Sequence, residues 1–353
     1  MKIFTISDHQ ESSLPKGKAD FLLAASVTHT CDIEGITQAG LPGKMYLTPT
    51  LDAEFLSTGK VFSLKDLAET ATGIPTPALL TRAVHTLRPF KSVKILNLGL
   101  EVLPQQCDLL SFDIAPTPSI ASTETFDAKA VFEKGRAFGR SYKSSGDYVI
   151  VGESTPAGTT TAQAAIHALG LQDEGLFASS FKEAPTSIKK ATIDAALSKI
   201  TSNMGLFEKF SHTADNTLMF VAGFVLEASH QREIVLAGGT QMAAALLIAD
   251  TIASRDSIYH DPRHITLCTT RWIAKDGASN INTLLSQLNF RAKALYADFL
   301  YQDANIPVLK LYDEGEAKEG VGAGAAIAYG YMQGLTQKEI TAEVERSMMA
   351  MSS

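Results

Sequence analysis

The chain has 353 residues, 45% hydrophobic and 20% charged; this excludes a disordered chain and suffices for one large α/β domain or two smaller ones. Its 38 acidic residues outnumber 31 lysines and arginines, for a net charge of −7, and the lack of a basic block with interleaved aromatics argues against a nucleic-acid partner. An anionic ligand must therefore be held by local dipoles and a few placed cations, because the global field opposes it.

In chain order, the polar opening "MKIFTISDHQESSLPKGK" carries no secretory apolar core. A strand rich in aliphatic residues is predicted over 19–28 ("ADFLLAASVT"), and a helix over 76–87. Further strands are predicted over 92–98 ("SVKILNL"), 147–152 ("DYVIVG"), 233–238 ("EIVLAG") and 264–270 ("HITLCTT"), with a sixth between 292 and 311. Helical patterns fall at 126–143, 159–169, 214–230, 240–253, 280–289 and 322–335. The strands read as continuous apolar runs, the mark of burial on both faces. Alternating β and α elements of this kind predict an α/β fold with a doubly wound, mostly parallel six-stranded sheet.

The last segment, "LTQKEITAEVERSMMAM", opens with a capping box from Thr336 to Glu339 and continues as an amphipathic helix. The expected organisation is a nucleotide-binding α/β domain over 19–335. Residues 1–18 and 336–353, with parts of 40–90, are expected to form a small helical subdomain. The longest apolar run, "MAAALLIA", is too short to cross a bilayer, so no membrane partner is expected. Cys31, Cys107 and Cys268 are isolated and odd in number, which fits reduced thiols and a cytoplasmic location. Pro262 separates His260 from His264, so this histidine pair does not share a helical face, and neither a metal nor a cofactor is expected.

In a doubly wound sheet, ligands bind beyond the carboxyl ends of the strands. Three strand-ending loops there are rich in Gly, Thr and Glu. In "GESTPAGTTT", Gly158 lets the backbone approach a ligand, and a helix starting near Thr159 aims free N–H groups at it; Thr159 and Thr160 add hydroxyls, so phosphate is the natural guest. A βα turn with a threonine cap explains the same spacing without a ligand. Glu153, however, is a liability beside an anion unless it serves a sugar hydroxyl or a developing cation. "LAGGTQ" repeats the geometry with Gly238, Gly239 and Thr240, although Gly-Gly turns are common. In "KEGVGAG", Glu319 precedes Gly320, Gly322 and Gly324, which do not meet the dinucleotide spacing; close helix packing explains Gly324 but not Glu319. Arg271 ends a predicted strand and is a phosphate candidate. Lys189 and Lys190 read either as a solvated helix face or as phosphate ligands. His29 and Gln38 follow the first strand and are candidates for a base pocket, with loop packing as the alternative; Trp272 is core or a stacking surface.

"GESTPAGTTTAQAA", "LAGGTQMAAALLIA" and "KEGVGAGAAIAYG" resemble, in order, three signature stretches of the nicotinate-nucleotide:dimethylbenzimidazole phosphoribosyltransferase family, closest to its archaeal and cyanobacterial branch, over about residues 20 to 335. The resemblance implies a Rossmann-like domain, a small helical domain from the termini and a homodimer. It implies transfer of ribose 5-phosphate from nicotinate mononucleotide to a benzimidazole-type or purine base for the lower ligand of a cobamide. The family's general base falls on Glu319, its second motif glutamate on Glu153, and its phosphate-binding lysine on Lys189, with Lys190 close behind. Two features depart from the pattern: the 153–158 loop is one residue longer than in the bacterial enzymes, and "SVTHTCDIEG" stands in place of their Asp-His-Gly loop. That replacement motivates a second reading, a non-catalytic nicotinate-nucleotide-binding regulator; a hydrolase that passes the ribose phosphate to water is a third.

Overall fold

The computed structural model describes residues 2–64 and 73–351; parts of the expected subdomain, namely residues 1, 65–72, 352 and 353, lie outside the described residues. The strands are β1 (Ile3–Thr5), β2 (Ala19–Ala25), β3 (Ser92–Asn97), β4 (Leu109–Ser111), β5 (Tyr148–Ser154), β6 (Ile234–Ala237), β7 (Ile265–Thr270) and β8 (Lys293–Ala297). They form one sheet in the order β1-β8-β7-β6-β5-β2-β3-β4, parallel except for β1, which pairs antiparallel with β8. All six expected strands are present. The sheet nonetheless has eight, because β1 and β4 are three residues each and too short to carry a pattern.

Between the strands run α1 (Thr48–Thr58), α2 (Ala78–Leu87), α3 (Ala128–Ser141), α4 (Gly158–Ala168), α5 (Thr186–Leu197), α6 (Leu206–Thr213), α7 (Asn216–Ala228), α8 (Thr240–Asp256), α9 (Arg271–Ala274) and α10 (Ile281–Leu285); α11 (Ala323–Met332) and α12 (Gln337–Met351) close the chain. All seven residues of β2 and of β5 are buried, as strands covered on both faces must be. Successive side chains alternate between two cores. Leu22, Val149, Val151 and Leu236 face α3, α4, α7 and α8. Phe21, Leu23, Ile150 and Val235 face α1, α2 and α11.

The capping box of Thr336 and Glu339 forms, with Thr336 N–H donating to Glu339 at 2.8 Å and Glu339 N–H to the Thr336 hydroxyl at 3.2 Å, and α12 packs on α2. The N-terminal β1 instead lengthens the sheet beside β8.

From β2 the chain winds outward through β3 and β4, then returns to place β5 on the other side of β2. The parallel order is that of a Rossmann sheet, and the reversal lies between β2 and β5, where the crevice for a ligand opens. β5 ends there in Glu153 and Ser154.

Candidate active site

The crevice is a cleft walled by the loops after β5, β6 and β7, the turn before α11, and the approaches to α1 and α2. Its backbone is strained. Ala157 (φ 64), Ala317 (φ 44) and Val321 (φ 53) all adopt left-handed conformations and all line it. Such geometry costs alanine or valine about 1–2 kcal/mol each, and strain of this kind gathers at functional sites. The loops are sewn together: Val321 N–H donates to the Glu153 carbonyl at 2.8 Å, and the Thr81 hydroxyl of α2 to the Val321 carbonyl at 2.8 Å. Gly152 permits this, since a Cβ there would lie 3.1 Å from the Gly322 nitrogen.

Glu319 and Glu153 both line the cleft. Glu319 accepts four hydrogen bonds: from Thr270 N–H at 2.8 Å, the Thr269 hydroxyl at 3.1 Å, and Gly320 and Gly324 N–H at 3.2 Å each. Burial pushes its carboxyl up to about 7, against the pull of those donors. Glu153 is pushed up to about 8, by burial first and then by the negative charges of Glu319, Asp215 and Asp52. Burial thus holds both carboxyls above the usual carboxylate range, and donors oppose it chiefly at Glu319.

The turn into α4 also lines the cleft. Gly158 opens α4 after the left-handed Ala157, so the helix starts one residue before the expected Thr159. Gly239, rather than Thr240, caps α8, and the Thr240 hydroxyl instead accepts from Ala178 N–H at 3.2 Å. The buried Lys189 of α5 reaches the Thr159 hydroxyl at 3.4 Å and the Ala178 carbonyl at 3.3 Å. Burial, then the nearby Lys318, lowers its ammonium to about 8. Lys318, also buried and in the cleft wall, donates to the Phe181 carbonyl at 3.2 Å and pairs with Asp276 at 3.4 Å.

The cleft lining also includes the apolar Ile36, Ile74, Pro75 and Pro77, together with the buried Asp52; Ile36 packs with Ala157 of the α4 turn. Asp52 accepts from the Thr76 hydroxyl at 2.7 Å and the Ser154 hydroxyl at 2.6 Å. Its carboxyl is raised to about 6 by burial, opposed by those two bonds. Gln38 closes the rim, its amide donating to the Ser180 carbonyl at 2.6 Å and to Glu316.

Of the expected residues, Glu153, Glu319, Gly158, Thr159, Gly239, Gly320 and Gln38 line the cleft, with Lys189 against Thr159. Thr160 turns inward, and its buried hydroxyl has no partner among the described residues. Gly238 and Gly322 are packing glycines, where a Cβ would lie 2.7 Å from Met242 and 3.0 Å from Ala237 respectively. Arg271 lies outside the cleft, ion-paired with Asp298, because the start of α9 directs it toward the end of β8. His29 is also outside: it pairs with Asp32 at 2.8 Å and Glu101 at 3.5 Å and borders a separate surface hollow. Lys190 is exposed and bound to Asp194 at 2.7 Å. Trp272 is core, its indole N–H donating to Asp313 at 2.9 Å. The sequence reading did not select Asp52, Thr76, Ser154, Gln241 or Lys318. The signal for Asp52 was an acidic residue inside a helix buried from Thr48 to Leu56; that for Lys318 was its adjacency to Glu319.

The strand order, with Glu153 and Glu319 in the cleft at its switch point, is that of a Rossmann-like α/β protein. Residues 94–265 match a family model described as Phosphoribosyltransferase. UPF0284 proteins of Archaeoglobus fulgidus and Sulfurisphaera tokodaii are each 33% identical, over 97% of both chains for the first and over 92% of this chain and 91% of the relative for the second. The nicotinate-nucleotide-dimethylbenzimidazole phosphoribosyltransferase of Thermus thermophilus has the same fold, with a TM-score of 0.60 and 18% identity over 94% of this chain and 83% of that one. The chain belongs to the family of the archaeal UPF0284 proteins. Among the described residues, no helix is long and apolar enough to cross a membrane.

Proposed function

We propose that the protein transfers ribose 5-phosphate from nicotinate mononucleotide to a benzimidazole-type or purine base, forming an α-linked ribonucleotide for the lower ligand of a cobamide and releasing nicotinate. One observation carries this reading: Glu153 and Glu319 share a cleft lined also by the α4 turn, with Lys189 against Thr159, and by the apolar residues Ile74, Pro75 and Pro77. The 5′-phosphate would sit at the α4 turn, where its binding energy orients the ribose. A flat base would sit against the apolar residues.

In this reaction the bond from the anomeric carbon to the pyridinium nitrogen breaks, and its electron pair leaves with nicotinate. A ring nitrogen of the incoming base attacks the same carbon, and the proton on the base's other nitrogen passes to Glu319. The donors on Glu319 fix its orientation, and three of them, at 3.1–3.2 Å, are long enough to yield as it takes the proton. Glu153, largely protonated at neutral pH, would hold a ribose hydroxyl. The same reading takes the working form to be a homodimer, which sedimentation of the purified protein checks.

A second reading, a non-catalytic nucleotide-binding regulator, draws on those same four bonds, which occupy both Glu319 oxygens. Incubating the protein with nicotinate mononucleotide and a panel of bases, with chromatography for free nicotinate, separates the two. Release that requires a base is the expected result. Binding without release for every base establishes the regulator, and release without any base a hydrolase.

A further inference from the structure

The polar inset in the cleft lining has a one-sided hydrogen-bonding character. Both hydroxyl protons of the trio point inward: Ser154 donates to one Asp52 oxygen at 2.6 Å and Thr76 to the other at 2.7 Å. The Thr76 oxygen is also taken from behind, accepting Ala78 N–H at 3.2 Å. A carboxylate offers about four lone-pair positions and a hydroxyl two. Asp52 therefore retains free acceptor positions, as does Ser154, while the trio has no donor left to give. All three residues are at most 8% exposed and all line the cleft.

The inset adjoins both glutamates. Ser154 follows Glu153 directly. Gly320, next to Glu319, lies against Pro77, with its would-be Cβ 3.4 Å from the ring. A ring seated between the Ile74–Pro77 segment and the glutamates would thus present one edge to Glu319 and another to Asp52 and Ser154.

We infer that Asp52, with Ser154, selects for acceptor bases that carry an N–H or O–H donor on the edge away from the attacking nitrogen. Amino- or hydroxyl-substituted heteroaromatic rings satisfy the inset, whereas a ring substituted there only by methyl groups leaves buried acceptors unpaired, a mismatch that sites built for hydrogen bonding reject strongly. This rests on the transferase reading and names its substrate class.

The test uses two matched pairs, adenine against purine and 5-hydroxybenzimidazole against 5-methylbenzimidazole, with nicotinate mononucleotide as donor. The parent protein should favour the donor-bearing member of each pair at least tenfold in kcat/KM. Asp52→Asn, which can turn an N–H₂ toward the cleft, should cut that preference about tenfold or reverse it, and Ser154→Ala should weaken it. A purely structural role, or a contact to the ribose, would lower kcat/KM for all four bases alike and leave the ratios intact; that result overturns the inference, as does a parent protein that prefers the methylated ring. Should no base release nicotinate, calorimetric titration of the same pairs into the nucleotide-loaded protein reads the selectivity directly. Tighter binding of adenine than purine, lost in Asp52→Asn, then upholds the inference although the transferase reading has failed, and equal binding removes it. Should Asp52→Asn fail to fold, Ser154→Ala alone carries the same reading of the ratios.

Discussion

Glu153 and Glu319 face one cleft, yet their surroundings differ in kind. Glu319 is ringed by donors that favour its charged form, whereas the described hydrogen bonds of Glu153 do little to offset its burial. On the proposed function, the donors that favour a charged Glu319 suit it to the role of proton acceptor. Glu319→Gln should lower turnover at least about a hundredfold while nicotinate mononucleotide still binds; calorimetry beside single-turnover kinetics checks both halves, and unchanged turnover removes the base from the mechanism. Turnover in the parent should rise with pH through about 7 as Glu319 ionises. Stability should run the other way. In the unfolded chain Glu153 gives up its proton near 4.5, in the fold near 8. Its contribution is therefore whole below 4.5, declines as pH rises between the two values and is gone above 8. Glu153→Gln should raise the melting temperature relative to the parent above pH 8 and change it little below pH 4.5. An equal shift at both would mean that Glu153 is not held protonated.

Helix α11 shows how an element places a side chain that it does not contain. Gly324, in its first turn, packs so close to β7 that a Cβ would stand 2.0 Å from the Thr269 carbonyl carbon and 2.3 Å from its oxygen. Backbone cannot yield as a flexible side chain can. Gly324→Ala should therefore cost about 3 kcal/mol in urea unfolding and should also impair turnover, because Thr269, Thr270 and Gly324 together hold Glu319. A fully stable and active variant would show that the contact is looser than drawn. The elements legible in the sequence were those whose burial is uniform or cleanly striped: β2 and β5 as unbroken apolar runs, α3 and α12 as amphipathic helices. Among the helices given no predicted range, two hid for opposite reasons. In α5 the buried face is Lys189, Thr192, Ile193 and Ala196, a helical spacing filled mostly by residues that do not read as apolar. In α1 every residue from Thr48 to Leu56 is buried, two carboxylates included, so no stripe exists to be seen. Both helices serve the cleft, and a side chain buried for a ligand's sake breaks the very pattern by which helices are recognised.

At the scale of the whole molecule, a net charge of −7 leaves recognition of an anionic nucleotide to charges that bulk ions cannot reach. Motif spacing made Glu153, Glu319, Gly158 and Lys189 legible as candidates. It could not separate Lys189 from Arg271, because a cation's usefulness depends on which carboxylate the fold sets beside it: Asp298 claims Arg271, while Lys189 meets only a hydroxyl and a carbonyl. Binding should reflect that placement. Charges buried as Lys189 is are screened far less than exposed ones, so the affinity for nicotinate mononucleotide should fall less than about threefold between about 0.05 and 0.5 M salt. At a hundred times its dissociation constant the nucleotide should stabilise the fold by about 2.7 kcal/mol, visible as a rise in melting temperature. Lys189→Met should abolish that rise and Arg271→Met should leave it in place. The reverse pattern would move the phosphate from the α4 turn to Arg271 after β7.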